Sequence, residues 1–175
     1  MKLIGHLKTI VVHKFWVAYY CFQFGLIWRG LVHDLSKFSP AEFFESIKYY
    51  TGNHSPIDEC KTWNGYSLAW LHHKGRNKHH FEYWIDGDNY IQMPWKYATE
   101  MVCDYIAAGK AYQKNKFTME GELKWWLEYK MPTAKMNEQT KNYVADLLEL
   151  MTNGWNGSLK EWSKYLYNKN CYVYN

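Results

Sequence analysis

Disulfide and zinc-finger cysteine patterns are absent from this 175-residue sequence. The four cysteines Cys21, Cys60, Cys103 and Cys171 are widely separated and form no CxxC pair. This spacing excludes a zinc knuckle and a disulfide framework, and it predicts reduced thiols in a cytoplasmic protein, or in the host cytoplasm if a phage encodes it. A strong charge of one sign is also lacking, since the net charge is only +4. This charge does not by itself indicate nucleic-acid binding.

Long apolar runs and alternating strand patterns are equally scarce. The N-terminus lacks the layout of a signal peptide. The apolar stretch from Ile10 to Trp28 contains His13, Lys14 and Gln23, polar groups that argue against a membrane span. The longest alternating segment is 172–174, so the pattern favours an all-α protein without a membrane partner.

Helical spacing and capping signals predict one domain built as an all-α bundle. Ser39, Pro40 and Glu42 match the N-cap, N1 and N3 positions of a capping box, which begins a helix that runs to about Tyr50. Other helices are predicted over residues 3–24, 26–35, 62–73, 79–85, 95–113, 118–129 and 138–152, with a loop over 52–61. We expect a metal-binding core in residues 1–115 and C-terminal helices in 116–175 that pack on the same domain.

Histidines and aspartates occur where a helical core should be apolar. His13 and Asp104 lie within apolar stretches, His33 and Asp34 adjoin at the end of another, and HHKGRNKHH spans 72–80. Each feature alone fits a structural role, such as a hydrogen-bonded core histidine, an exposed aspartate or a hydrated surface turn. Together they supply imidazoles and carboxylates, the ligands that divalent first-row metals prefer.

The sequence therefore predicts a site between helices for one or two divalent transition-metal ions, with Fe, Mn, Zn, Co and Ni as candidates. The carboxylate of Asp34 has two oxygens and could bridge two ions. His33 and Asp34 can both reach such a site near a helix end, because helical neighbours diverge by about 100°. In each pair of the 72–80 segment, we expect one histidine to point inward. The candidate ligands are His13, His33, Asp34, His72, His73, His79, His80 and Asp104.

The order of these residues resembles the HD-domain superfamily of metal-dependent phosphohydrolases, which is all-α and uses a His, a His-Asp doublet and a distal Asp. HDLSK resembles its HDxGK form, with Ser36 in place of Gly. The additional histidines resemble the binuclear members, including the HD-type di-iron oxygenases. HDLSKFSPAEF and AWLHHKGRNKHHFEYW are also similar to a small uncharacterised family of phage and bacterial proteins, up to about residue 115, and this similarity brings no known reaction.

The resemblance implies hydrolysis of a nucleotide or another small phosphate ester by metal-activated water. Asp34 and Lys37 are the candidate catalytic residues. Candidate substrate-binding residues are Lys37, Lys74, Arg76 and Asn77. His6, Glu82 and Glu100 are expected to support the ligands, and His6 is also an alternative first ligand. Four aromatic residues are expected either to pack in the core or to stack on a nucleobase: Trp70, Phe81, Tyr83 and Trp84.

Two other functions fit the same residues. A ligand set rich in histidine also suits two irons that activate O₂ to oxidise a small organic substrate. Interleaved aromatic and basic side chains fit a non-enzymatic module that binds nucleic acid or a host protein. The C-terminal tryptophans are expected to pack on the helical core, with closing the pocket or forming a homodimer surface as alternatives. His54 lies in a loop sequence, NHSP, and is expected to be solvated and free of metal.

Overall fold

Two long helices form the centre of the fold. In this computed structural model, which describes residues 2–171, α1 spans Lys2–Gln23, α6 spans Trp95–Gln113, and the two helices pack along each other. The inward face of α1 carries the stripe His6, Ile10, His13, Val17 and Cys21, the spacing of a single helix face. The alternating segment 172–174 lies outside the described residues.

The segment after α1 forms four further α-helices. Helix α2 spans Ile27–Val32, a 3₁₀ turn covers Leu35–Phe38, and α3 spans Pro40–Tyr49. Helices α4 (Pro56–Asn64) and α5 (Leu68–Arg76) pack on α3. The expected loop over 52–61 and helix over 62–73 are therefore wrong. Pro56 begins α4 at its N1 position, and Gly65, with a φ of 78°, ends that helix.

A tight turn and a small hairpin connect α5 to α6. A 3₁₀ turn covers Phe81–Trp84, and strands β1 (Ile85–Asp86) and β2 (Asn89–Tyr90) pair antiparallel with Ile85 opposite Tyr90. The helix expected over 79–85 is wrong, because residues 79 and 80 lie in a turn. Within residues 2–171, this hairpin is the sole β-structure, so the predicted all-α class is confirmed.

The C-terminal segment completes the hydrophobic core on the other side of α6. A short 3₁₀ turn (Lys114–Lys116) precedes α7 (Met119–Trp125), which continues as a π-helical turn over Trp126–Lys130. Helices α8 (Met131–Thr133), α9 (Glu138–Asn153) and α10 (Leu159–Asn170) follow. One apolar cluster joins Val17, Ile106, Trp126 and Leu147, so both predicted segments of the chain share a core. No helix in the described part of the chain is long and apolar enough to cross a membrane.

Candidate metal centre

The His33-Asp34 doublet lies in a sharp bend between α2 and the following 3₁₀ turn. Asp34 has a φ of 52° and a ψ of 29°, the left-handed conformation that non-glycine residues rarely adopt. His33 is extended, with a ψ of 129°. This bend brings adjacent side chains to one centre, which a continuous helix would not allow. It costs on the order of 1–3 kcal/mol of backbone strain, of the kind often retained at functional sites.

The two carboxylate oxygens of Asp34 face two different sets of histidines. Oδ2 lies 3.3 Å from His33 Nε2 and 3.9 Å from His13 Nε2. Oδ1 lies 3.3 Å from His73 Nε2 and 3.4 Å from His79 Nε2. Asp34 therefore lies between two potential ligand groups, the arrangement needed for a bridging carboxylate.

Each ligand group contains four residues that share Asp34. Asp104 completes the first, with Oδ1 3.0 Å from His13 Nε2 and 3.4 Å from His33 Nε2. Within each group, one potential ligand atom from every residue lies within 4.8 Å of the others. The first group is His13, His33, Asp34 and Asp104, and the second is Asp34, His73, His79 and His80. These two groups could each hold a metal ion.

Unsatisfied buried atoms mark the same centre. The Nε2 atoms of His13, His33, His79 and His80 and both oxygens of Asp34 are buried without a hydrogen bond among the described residues. Lys37 Nζ lies 2.6 Å from Asp34 Oδ2 and forms an ion pair with that oxygen. Buried polar atoms without partners are rare and costly. Their convergence on one point fits cation binding.

Two buried glutamates hold the histidine rings. Glu100 Oε1 accepts a hydrogen bond from His33 Nδ1 at 3.0 Å and lies 3.5 Å from His79 Nδ1. Glu42 accepts from His73 Nδ1 at 2.7 Å and from His72 Nδ1 at 2.6 Å. A carboxylate on Nδ1 fixes the tautomer that leaves Nε2 free to bind a metal, a common arrangement around protein metal sites.

Glu42 is a site residue that sequence reasoning missed. Its position at N3 of α3 predicts a capping box, but Ser39 makes no side-chain cap and Glu42 turns to the histidines instead. The signal for its role would have been a further carboxylate that follows Asp34 by eight positions and lies on the face of α3 that meets α5. Glu100, expected as a supporting residue, also forms an ion pair with Arg29 of α2.

The histidine pairs behave differently. His73 is 2% exposed and belongs to a ligand group, whereas the ring of the half-buried His72 donates to Glu42 and lies outside both groups. The expectation that one histidine of each pair points inward is therefore correct for His72 and His73. For His79 and His80 that expectation is wrong, because the turn places both rings in the centre with their centroids 4.2 Å apart.

Electrostatics favour the ligand forms of most of these groups. Burial, reinforced by Lys37, lowers the pKa of His13 to about 4, and burial lowers that of His80 well below its usual value. Burial would raise the pKa of Asp34, but His33, Lys37 and His73 outweigh it and hold the carboxyl ionised. Burial would lower the pKa of His33, but Asp34 and other carboxylates raise it well above normal. The carboxylates around His33 therefore stabilise a positive charge at this position in the centre.

A cavity of about 240 Å³ opens beside the ligands and is lined in part by His13, His73, His80 and Asp104. Three lysines also line it: Lys37, Lys61 and Lys130. Lys61 Nζ lies 4.2 Å from the ring centre of Trp70, and Lys130 Nζ lies 4.9 Å from that of Phe81. The lysines therefore combine with flat apolar surfaces.

The carboxylates Asp58 and Glu82 line the same cavity, and burial raises the pKa of Glu82. They limit the net positive charge of its wall.

Several predicted substrate residues do not reach this cavity. Lys74, Arg76 and Asn77 are absent from its lining. Arg76 is exposed and donates to His72 O, and the Asn77 amide donates to Ser36 Oγ at 2.8 Å and to His73 O at 2.9 Å. Asn77 therefore fixes the turn after α5, and the geometry gives no support for substrate binding by these three residues.

The remaining candidates fall into two sets. His6 lines the cavity two turns before His13 but belongs to neither ligand group, and burial, reinforced by Lys37, lowers its pKa to about 4. Trp70 and Phe81 line the cavity, whereas Tyr83 and Trp84 do not. His54 has a side chain that is 49% exposed and pairs with Glu59, away from the centre, as expected for a solvated residue.

Comparisons with known proteins give a family but no function. No curated protein and no solved structure matches the chain. A family model described as a family of unknown function, DUF5662, matches residues 2–150, a range that contains every residue of both ligand groups and Glu42 and Glu100. The chain belongs to the DUF5662 family.

Proposed function

We propose that this protein is a binuclear metal-dependent phosphohydrolase that acts on a small phosphate ester. The observation that carries the proposal is the position of Asp34 between two four-residue ligand groups at the wall of a cavity. The buried, unsatisfied Nε2 and carboxylate atoms support the same assignment, because the residues present fit a pair of divalent cations.

One ion would be held by His13, His33, Asp34 and Asp104, and the other by Asp34, His73, His79 and His80. When bound, such ions lower the pKa of water to near neutrality and neutralise charge on phosphoryl oxygens. The mixed imidazole and carboxylate ligands suit Fe, Mn, Zn, Co or Ni. The order of these ligands along the chain, which resembles that of the HD-domain superfamily, also supports the proposal.

The cavity supports a small substrate. Its volume of about 240 Å³ lies below the range usual for drug-sized ligands, roughly 300–1,000 Å³. Lys37 is next to the ligands, and its pKa is raised above normal because Asp34 and Asp104 outweigh the effect of burial. We assign to Lys37 the role of neutralising charge that develops on the phosphoryl group.

Substrate selection would fall to the outer wall of the cavity. Lys61 and Lys130 can each receive an anionic oxygen, while the faces of Trp70 and Phe81 can contact a flat apolar part of the ester. Because Asp58 and Glu82 share this wall and limit its positive charge, it lacks the continuous basic surface that binds an extended polyanion. A small ester or a single nucleotide therefore fits better than a nucleic-acid strand.

The test is metal analysis combined with a substrate panel. Protein purified without oxygen should contain about one to two first-row ions per chain. After loading with each metal, it should release phosphate from at least one member of a panel of nucleotides and phosphate esters. Asp34→Asn should lose both properties, and the matched control His54→Ala should keep both. Retention of metal by Asp104→Ala would remove Asp104 from the ligand set.

A di-iron oxygenase is the second candidate, because the two groups contain five imidazoles and only two carboxylates. Iron-dependent O₂ uptake without phosphate release would favour it and overturn the hydrolase. Less than about one tenth of an ion per chain after reconstitution would overturn both enzymes. That result would leave a non-enzymatic binding module.

A further inference from the structure

The outer face of α1 has an unusual composition for a helix exposed to water. Opposite the buried stripe lie Ile4, Lys8, Val11, Phe15, Tyr19 and Phe22, at the spacing of one helix face, and Lys8 is the sole charged member. The apolar members are between 44% and 74% exposed. A surface helix normally turns its polar side outward, and a helix that is apolar on both sides is normally buried.

Helix α2 extends this surface. A Cβ placed on Gly30 would lie 2.9 Å from Cys21 Cβ and 3.3 Å from Phe22 Cε1, so α2 contacts α1 beside the outer stripe. Arg29 turns inward to Glu100. Ile27 and Leu31, one turn apart, are 58% and 53% exposed.

We define the α1–α2 apolar face as Ile4, Val11, Phe15, Tyr19, Phe22, Ile27 and Leu31. Its exposed area is roughly 800 Å², judged from side chains of this size at these exposures. This exceeds the largest patch of most monomers, about 300–600 Å². It equals the contribution of each partner to a standard stable interface, also about 800 Å².

We propose that this face is the interface of a two-fold symmetric homodimer, which goes beyond the proposed function. The stripe on α1 is self-complementary when two copies pack antiparallel about its midpoint. Val11 of one copy then meets Phe15 of the other, and Ile4 meets Phe22. Lys8 meets Ala18 rather than a second lysine, so no like charges face each other.

The dimer has a structural consequence for the metal centre. The same helix carries His13 on its inner face. Packing on the outer face would therefore fix the helix that supplies a candidate ligand, without contributing any residue to the site.

The first test is the mass in solution, measured by light scattering and sedimentation. We expect twice the 21.1 kDa mass of the chain for the wild type. Phe15→Glu should halve that mass and leave helicity and bound metal unchanged. Trp63→Glu is the matched control, because Trp63 is 73% exposed on α4, outside the face, and it should stay dimeric. A monomeric wild type at about 100 μM would overturn the proposal.

A cross-linking experiment tests the pairing and does not depend on a variant that disrupts the face. All four native cysteines are buried, so an introduced surface cysteine is distinguishable. Val11→Cys mixed with Phe15→Cys should oxidise to a covalent heterodimer, whereas Val11→Cys mixed with Trp63→Cys should not. Equal cross-linking in both mixtures would overturn the antiparallel pairing. A monomer that binds lipid vesicles through Phe15 would assign the face to a membrane surface and also overturn the dimer.

Discussion

Helices α3–α5 bury few apolar side chains, whereas helices α6–α9 supply much of the hydrophobic core. The hydrophobic core contains residues from α6 and α9 such as Met101 and Leu147, but no residue between 27 and 80. In α3–α5 the buried side chains include Glu42, Ser46 and His73, while large apolar side chains such as Trp63 are exposed. Apolar packing dominates the α6–α9 region, although α6 also supplies Asp104 and Glu100 to the candidate metal centre, whereas α3–α5 pack mainly around that centre.

Polar contacts hold the α3–α5 layer together. Glu42 bonds the histidines of α5, and Glu45 accepts from Ser67 and from Ala69 N at the start of α5. Ser36 and Asn77 tie the preceding turn to the end of α5. The α3–α5 layer therefore has little of the apolar burial that usually stabilises helices. We therefore expect bound metal to supply part of its stability, because binding to the native state alone is linked to folding.

The largest expected effect comes from removing the charge that both ligand groups share. Asp34→Asn should lose both ions and reduce phosphate release by about 1,000-fold or more, because metal ions contribute several kcal/mol to such reactions. Asn is the suitable replacement, since it keeps the shape and tolerates the left-handed backbone at this position. Metal analysis and initial rates check this, and a variant with full metal content would contradict the bridging role.

A substitution in the apolar core of α6–α9 should reduce stability but leave metal binding unchanged. Leu147→Ala removes a fully buried side chain from α9 and should lower the free energy of unfolding by about 3 kcal/mol. Metal stoichiometry per folded chain should stay constant, because Leu147 lies in the hydrophobic cluster and belongs to neither ligand group. Urea unfolding with metal analysis separates the two outcomes, and loss of metal in the folded variant would erase the distinction between the regions.

Metal removal should loosen one region selectively. We expect backbone amides in α3–α5 to exchange with deuterium about 100-fold faster after chelation, equivalent to about 2.7 kcal/mol, while those of α9 stay protected. Hydrogen exchange followed by mass spectrometry, with and without chelator, measures this difference. Uniform acceleration across all helices would instead mean that the chain behaves as one cooperative unit.

The orientation of a histidine should have a smaller effect than the loss of a ligand. Glu42→Gln keeps the size of the side chain but removes the charge that holds His73, and metal affinity should fall about 10- to 100-fold. Glu45→Gln is the control, because Glu45 also joins α3 to α5 but contacts no histidine. Equal losses in the two variants would make Glu42 a structural residue only.

Sequence patterns predicted the helical class and the long helix over 95–113, and they identified the candidate site residues that the fold brings together. They failed where one motif permits two local structures. Glu42 has the same position in a capping box and in a carboxylate–histidine pair, and only the packing of α3 on α5 distinguishes the two. His79 and His80 both face inward because a turn replaces the expected helix. The contribution of Lys130 depends on an irregular π-helical turn, which carries no simple sequence signal.

The smallest expected effect is a pH dependence that belongs to the apolar region. Glu122 of α7 is 6% exposed, and burial, with a smaller effect of Asp104, raises its pKa to about 7 from a normal 4.5. Between these values the native chain retains a proton that the unfolded chain has lost, so the free energy of unfolding should fall as pH rises. The contribution is fully present below pH 4.5 and is lost by about pH 7. The full interval corresponds to an upper limit of about 3.4 kcal/mol, and solvent screening of the carboxyl should reduce the measured contribution to about 1–2 kcal/mol. Between pH 4.5 and 7, the free energy of unfolding of Glu122→Gln should fall less steeply with pH than that of the wild type. An identical slope in both proteins would show that Glu122 titrates normally.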